Sequence, residues 1–318
     1  MDSKNISDFI VTIRASGERT ENICREIVEQ QGNGAEIVMI RENPFKKALE
    51  TCFREAIRSG KKWLITVDAD MMLLPGALQL LYQEAEKMPQ NYLQLQGRIF
   101  DKITASERKA GPRIYRVSLL QDVLDLSKTL DNHIRPESRL IKLTGEKGYP
   151  SRYIPVVLCV HDFEQSYRDV YRKAYVHANK HSEFLGSIVK NASEKHQNDA
   201  DYKVILKATW DGMMEQDELV ADSRLFESKA DEAIRELKLP PKSSAIKSIP
   251  PIKWLDDTVK RTPSEVNTQT PMEFQDQPKQ KDLSVNRVKD LLRRRGMIKT
   301  FSRGVAKLLI KAGKRLQA

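Results

Sequence analysis

The chain has 318 residues, 40% of them hydrophobic, a formal net charge of +10 and a mean hydropathy of −0.54. That is material for one sizeable core with extensions, and no window approaches the roughly 20 apolar residues of a membrane span. Met1-Asp2-Ser3-Lys4 leads into no signal-peptide core, and the three widely spaced cysteines form no CxxC, so reduced thiols in a cytoplasmic protein are expected.

Asp8 to Ile13 reads as a first strand, opening into the polar loop Arg14-Ala15-Ser16-Gly17-Glu18-Arg19. A helix with Ile23, Ile27 and Val28 on one face follows, and Gly32 and Gly34 stop it. Glu36 to Ile40 is a second strand. Beyond Arg41-Glu42-Asn43-Pro44 comes a helix carrying Ala48, Leu49, Cys52, Phe53, Ala56 and Ile57 at helical spacing, ended by Gly60. The apolar run Trp63, Leu64, Ile65, Val67 is a third strand. Strand–helix–strand–helix–strand at this spacing implies right-handed crossovers and a parallel sheet, with the loops after the strands on one edge.

The third strand ends on Asp68-Ala69-Asp70, and Pro75-Gly76 then punctuates a helix running to about Lys87. A strand cannot bury two carboxylates without partners, so this pair belongs at its C-terminal mouth, where ligands bind in open α/β sheets. Two carboxylates there suit a hard divalent ion, Mg²⁺ or Mn²⁺, held together with a substrate's phosphates. Tyr92 to Ile99 and Pro112 to Leu119 read as further strands, and residues 120–150 as mixed, with a loop over 132–137. Tyr153 to Val160 is another strand, ending on His161-Asp162. His161 is a candidate ligand because it too ends a strand; the alternative is that His161-Asp162 caps the long helix expected next, with Phe163, Tyr167, Val170, Tyr171, Ala174 and Ala178 along one side. Residues 183–237 read as helical. His177 and His181 stand four apart on a helix, but Ala178 occupies the place of a zincin's glutamate, so they are read as surface or packing residues.

The parallel start and the strand–DxD–helix step resemble a family 2 glycosyltransferase of the GT-A fold, over roughly residues 8–180 and most closely at Phe9–Arg19 and Trp63–Ala77. The resemblance implies an α/β, Rossmann-like mixed sheet flanked by helices, with a helical C-terminal extension. It implies a hexosyltransferase-like enzyme using Mn²⁺ or Mg²⁺, a nucleotide-sugar donor and a saccharide or lipid-linked acceptor. Donor contacts would fall to Thr12, Arg14, Arg19, Glu42 and Asp68, and the metal to Asp70, Asp68 and His161, since related enzymes use a late histidine in this way. Only two strands precede the DxD strand, where family members usually have a third. An inverting reaction would also need a general base at the acceptor hydroxyl, for which Glu137 and Asp131 are the candidates. Arg98, Arg113 and Arg116 are possible phosphate contacts. A haloacid-dehalogenase-like phosphatase also uses a strand-terminal DxD, but on its first strand, with Thr or Val where Met72 stands.

From Val285 to Ala318 there are 11 Lys and Arg against one acid, Asp290, which leaves 43 basic and 43 acidic residues elsewhere. The body is neutral and the tail carries the whole excess. The expected organisation is a catalytic domain over 1–237, a Pro-, Ser- and Gln-rich linker over 238–284, and the tail over 285–318. Lys299, Arg303, Lys307, Lys311 and Arg315 recur every four residues, with Phe301, Val305, Leu308, Leu309, Ala312 and Leu316 on the other side. That is the pattern of an interfacial helix on an anionic leaflet, so a peripheral place on the inner face of the cell membrane is expected. A non-enzymatic nucleic-acid-binding protein using this tail is the alternative, and the neutral body argues against nucleic acid.

Overall fold

A computed structural model describes residues 8–130, 136–180, 184–214 and 226–246. They divide into two compact units. The first comprises the chain to Asp101, then Ser106–Glu164, and resumes at Ser244; the second comprises Lys102–Ala105 and Gln165–Ser243. The sequence reading of one domain over 1–237 therefore becomes two units among the described residues. The first residues of the expected linker are tied in: Lys242 Nζ donates to the Gln165 carbonyl at 2.8 Å in the second unit, and Ile246 N to the Arg19 carbonyl at 3.3 Å in the first. Residues 247–284 and the basic tail lie outside the described residues.

The first unit opens as its hydrophobic periods dictate, with β1 (Phe9–Arg14), α1 (Glu21–Gln31), β2 (Glu36–Ile40), α2 (Phe45–Ser59) and β3 (Trp63–Asp68). β1 lies between β2 and β3, parallel to both. Alternation along the strands divides two cores. Phe9, Val11, Ile13, Trp63, Ile65 and Val67 face α1 and α3 (Ala77–Glu86), whereas Ile10 and Leu64 pack with Leu49, Cys52 and Phe53 of α2. Ile57, expected on that apolar face, is exposed in the last turn of α2, just before Gly60 closes it at φ +65°.

Between β3 and α3 lies a strand the sequence did not announce, β4 (Met71–Leu73). β5 (Gln94–Asp101) and β6 (Ser106–Arg108) form a hairpin, and β7 (Arg113–Arg116) follows. The strand expected to reach Leu119 stops at Arg116, because a 3₁₀ turn over Val117–Leu119 feeds directly into α4 (Leu120–Ser127). Leu120, Val123 and Leu124 there recur at helical spacing and are buried. Pro136 begins α5 (Pro136–Glu146), a position that tolerates its missing N–H, so Glu137 stands in a helix rather than in the expected loop. β8 (Ser151–His161) completes the sheet, whose order is β2-β1-β3-β7-β5-β8-β4 with β6 beside β5. β7 runs antiparallel to β3 and β5, and β5 runs parallel to β8.

The pairing of β5 with β8 is irregular. It begins with Gln94 opposite Ser151 and ends with Asp101 opposite His161, with shifts between Gln96 and Ile99. Carried on unbroken, the first register would have set Asp101 opposite Leu158. Gly97 sits inside this irregular stretch, where a Cβ would lie 2.3 Å from Leu158 Cδ1 and 3.1 Å from the Val156 carbonyl oxygen, so the close approach requires glycine.

The second unit is helical: α6 (Tyr167–Lys180), α7 (Leu185–Lys195), α8 (Ala200–Met214) and α9 (Glu227–Glu236) enclose a core of their own around Tyr171, Tyr175, Ile188, Ile205 and Ala230. Ser166, not Asp162, caps α6: the Asp169 amide donates to its Oγ at 3.1 Å, and Oγ donates back to the Asp169 carboxylate at 2.6 Å. Lys102 is buried in this unit and pairs with Asp201 and, at 3.0 Å, with Asp199, which anchors the short segment 102–105 there.

Candidate metal and nucleotide-sugar site

The acidic and imidazole groups gather where three strands of the first unit end. Asp68 is the last residue of β3, Asp101 of β5 and His161 of β8. The short β4 brings the fourth group in. Its antiparallel pairing sets Met71 opposite His161, which leaves Asp70 beside the end of β8, and the Asp162 amide donates to the Asp70 carbonyl at 3.3 Å. The His161 Nε2 is 3.5 Å from Asp70 Oδ2, while Nδ1 is 3.1 Å from both Asp101 Oδ2 and Asp162 Oδ2. Burial works against a charge on His161, but Asp162, Asp70 and Asp101 outweigh it and hold its pKa well above the ordinary histidine value.

Asp70, His161 and Asp162 present ligand atoms that all lie within 4.8 Å of one another. Atoms bound about 2.1 Å from one ion at roughly right angles lie about 3 Å apart, so the 3.5 Å between Asp70 and His161 is of the size a shared cation requires. The carboxylate oxygens of this set suit Mn²⁺ or Mg²⁺, and the set lacks the thiolates of softer sites. Cys24 and Cys159 are buried free thiols nearby, and burial raises both far above the range in which a thiolate forms. Asp68 is also raised, first by burial and further by the Asp70 charge, with Arg14 opposing. Two carboxylates held together at such a cost are what a divalent ion would relieve.

Asp68 does not share the cluster's geometry. Arg14, which stands opposite it on β1, donates from Nε to Asp68 Oδ1 at 2.6 Å. The Arg14 guanidinium also donates to Glu137 at 3.2 Å and lies 4.7 Å over the ring of Phe45. Glu137 receives Tyr115 OH at 2.9 Å and faces Arg113 at 3.4 Å. Burial would raise the Glu137 carboxyl, yet Arg113, Arg14 and the Tyr115 hydroxyl bring its pKa down to about 2. A carboxylate held so firmly ionised has little affinity for an acceptor's proton. Its surroundings make Glu137 a clamp on Arg14 and Arg113.

The remaining expected contacts are placed as follows. Thr12 is fully buried, two residues below Arg14 on the same sheet face. Arg19 is buried and donates to the Glu164 carbonyl at 2.7 Å. Glu42 faces Lys47 at 3.2 Å. Arg98 pairs with Glu107, and Arg116 donates to the carbonyls of Met88, Pro89 and Tyr92 while lying over Trp63, so neither is aimed at the mouth. Asp131 lies outside the described residues. Sequence reasoning missed Asp101 and Asp162 as members of the cluster. The available signal was an acid or histidine ending each of three strands.

No family model matches the sequence, and no curated protein matches it. Among solved structures the chain is similar to the mannosyltransferase PcManGT from Pyrobaculum calidifontis in complex with GDP-Man and Mn²⁺, at 11% identity over 98% of this chain and 87% of that one, with a TM-score of 0.38. It is similar to a glycosyltransferase involved in the glycosylation of the major capsid of PBCV-1, at 13% identity over 49% of this chain and 93% of that one, TM-score 0.37. A third is a CMP:2-keto-3-deoxy-manno-octonic acid synthetase complexed with CTP, at 14% identity, 48% and 91% coverage, TM-score 0.33. The mixed sheet flanked by helices is the α/β architecture that the sequence resemblance implied. What the chain does is read from its side chains.

Proposed function

We propose that this chain is a metal-dependent glycosyltransferase that moves a sugar from a nucleotide-sugar donor to a saccharide or lipid-linked acceptor. One observation supports this above the rest: Asp70 and His161, 91 residues apart in sequence, converge at 3.5 Å on the C-terminal edge of the sheet, with Asp162 beside them and the Asp68–Arg14 pair at the ends of β3 and β1 on the same edge. Asp70, His161 and Asp162 would hold a Mn²⁺ or Mg²⁺ ion. When bound, such an ion supplies Lewis-acid stabilisation of a departing diphosphate.

The chain's own residues do the remaining work. Arg14 holds Asp68 fixed at the donor side, and Glu137 with Tyr115 keeps Arg14 from swinging away. The loop after β1 is drawn tight by Glu18, which accepts from Ser16 N at 2.6 Å and from Ser16 Oγ at 2.7 Å, and this shapes the wall beside Asp70. With Glu137 committed to its arginines, Asp131 is the remaining carboxylate proposed to take a proton from the acceptor in an inverting reaction. The basic tail is proposed to hold the protein on an anionic membrane surface.

The test is a thermal-shift panel of UDP-, GDP- and CDP-sugars with and without Mn²⁺, on the wild type and on Asp70→Ala. A nucleotide should raise the wild-type melting temperature only when Mn²⁺ is present, and Asp70→Ala should abolish the effect. A wild type indifferent to every Mn²⁺–nucleotide pair would sink the reading.

A further inference from the structure

We propose that Asp101, through Arg108, is the positioning residue that turns His161 into a metal ligand. This rests on the metal-dependent reading above. The geometry is specific. Asp101 ends β5 directly opposite His161, is fully buried, and meets Nδ1 at 3.1 Å in hydrogen-bonding alignment. Arg108, opposite Ile99 on β6, reaches back to the same Asp101 oxygen. One carboxylate oxygen is thus shared by a guanidinium and an imidazole, the guanidinium coming from the strand paired with β5.

An imidazole can offer a metal only the nitrogen that carries no proton, and the hydrogen bond made by the other nitrogen decides which that is. An acceptor at Nδ1 keeps a proton there, so Nε2, which faces Asp70, is the nitrogen left to give up its proton to an incoming ion. Asp162 is equally close to Nδ1, yet it follows the strand end in the left-handed region at φ +65° and lies within reach of the same ligand cluster. The two carboxylates therefore divide the work. Asp101 holds the ring, and Asp162 is left to join Asp70 at the ion. Without Asp101 the ring loses the carboxylate that strand pairing holds opposite it, and Nε2 is no longer kept facing Asp70.

The measurement is Mn²⁺ binding by calorimetry, with electron spin-echo spectroscopy of bound Mn²⁺ reporting nitrogen coupling, on full-length protein. Asp101→Ala removes the acceptor and should weaken Mn²⁺ about 10- to 100-fold, with the imidazole coupling lost. Asp101→Asn keeps one acceptor without the charge and should fall between Asp101→Ala and wild type. A residue that merely stabilised the hairpin would lower the melting temperature and leave the coupling of bound Mn²⁺ intact. Labelling histidine with ¹⁵N at one ring position tests the wild type itself, should the variants not fold: coupling must come from Nε2, and direct coordination by Nδ1 overturns the proposal. Wild-type affinity and coupling in folded Asp101→Ala would overturn it too, with the metal centre standing. A wild type that binds no Mn²⁺ overturns both.

Discussion

Arg14 joins Asp68, Glu137 and Phe45 from one buried position beside the site. Its partner Glu137 has a folded pKa of about 2, below the ordinary value of 4.5, because the attraction of Arg113 and Arg14 exceeds the cost of burial. The stabilisation this implies is complete above pH 4.5 and is lost as pH falls toward 2. Glu137→Gln would leave buried Arg113 without this carboxylate and Arg14 with Asp68 alone, at a cost on the order of 3 kcal/mol near neutral pH. Urea unfolding of wild type and variant should show that gap at pH 7 and a closing gap between pH 4.5 and 2.5. A gap that is constant across that range would contradict the ion-pair account. The pairing itself was not legible in the sequence, since Arg14, Arg113 and Glu137 are brought together by β1, β7 and α5. Nothing local marks residues as far apart as 14 and 137 as partners.

At the scale of elements, long periodic segments were readable and short ones were not. The β1–α1–β2–α2–β3 start came from apolar runs that alternate in period, and DxD and His161 were visible because each ends such a run. β4 and β6 are three residues each, too short for any period to register, yet β4 places Asp70 and β6 supplies Arg108. α4 was missed because its apolar residues continue those of β7 without a break. Gly97 offers a test of the β5–β8 contact. Gly97→Ala should cost about 1–3 kcal/mol by pressing on Leu158. In a double-mutant cycle with Leu158→Ala the two effects should couple by about 1 kcal/mol, and strict additivity would argue against the contact.

The whole molecule divides its tasks. Every described residue of the proposed centre belongs to the first unit, and the helices α6–α9 build a second core with buried charges at Lys102 and Asp201. No described helix is long and apolar enough to cross a membrane. The proposed membrane contact therefore rests on the charge pattern of residues 285–318. Full-length protein should co-sediment with vesicles rich in anionic lipid and release as salt rises past a few tenths molar, and a truncation after residue 284 should remain in solution. Equal sedimentation of both forms would remove the tail from the account, and RNA or DNA binding lost on truncation would favour the nucleic-acid alternative.

The irregular register of β8 against β5 has a consequence for sequence change. Asp101 meets His161 only because β8 is three residues longer than its partner over the paired stretch. The centre thus depends on chain length between Tyr153 and Cys159 as much as on residue identity. Deleting one residue there would slide His161 out of line with Asp101 and turn it toward the opposite face of the sheet. Every ligand-type residue would still be present in order, and the metal site would be gone.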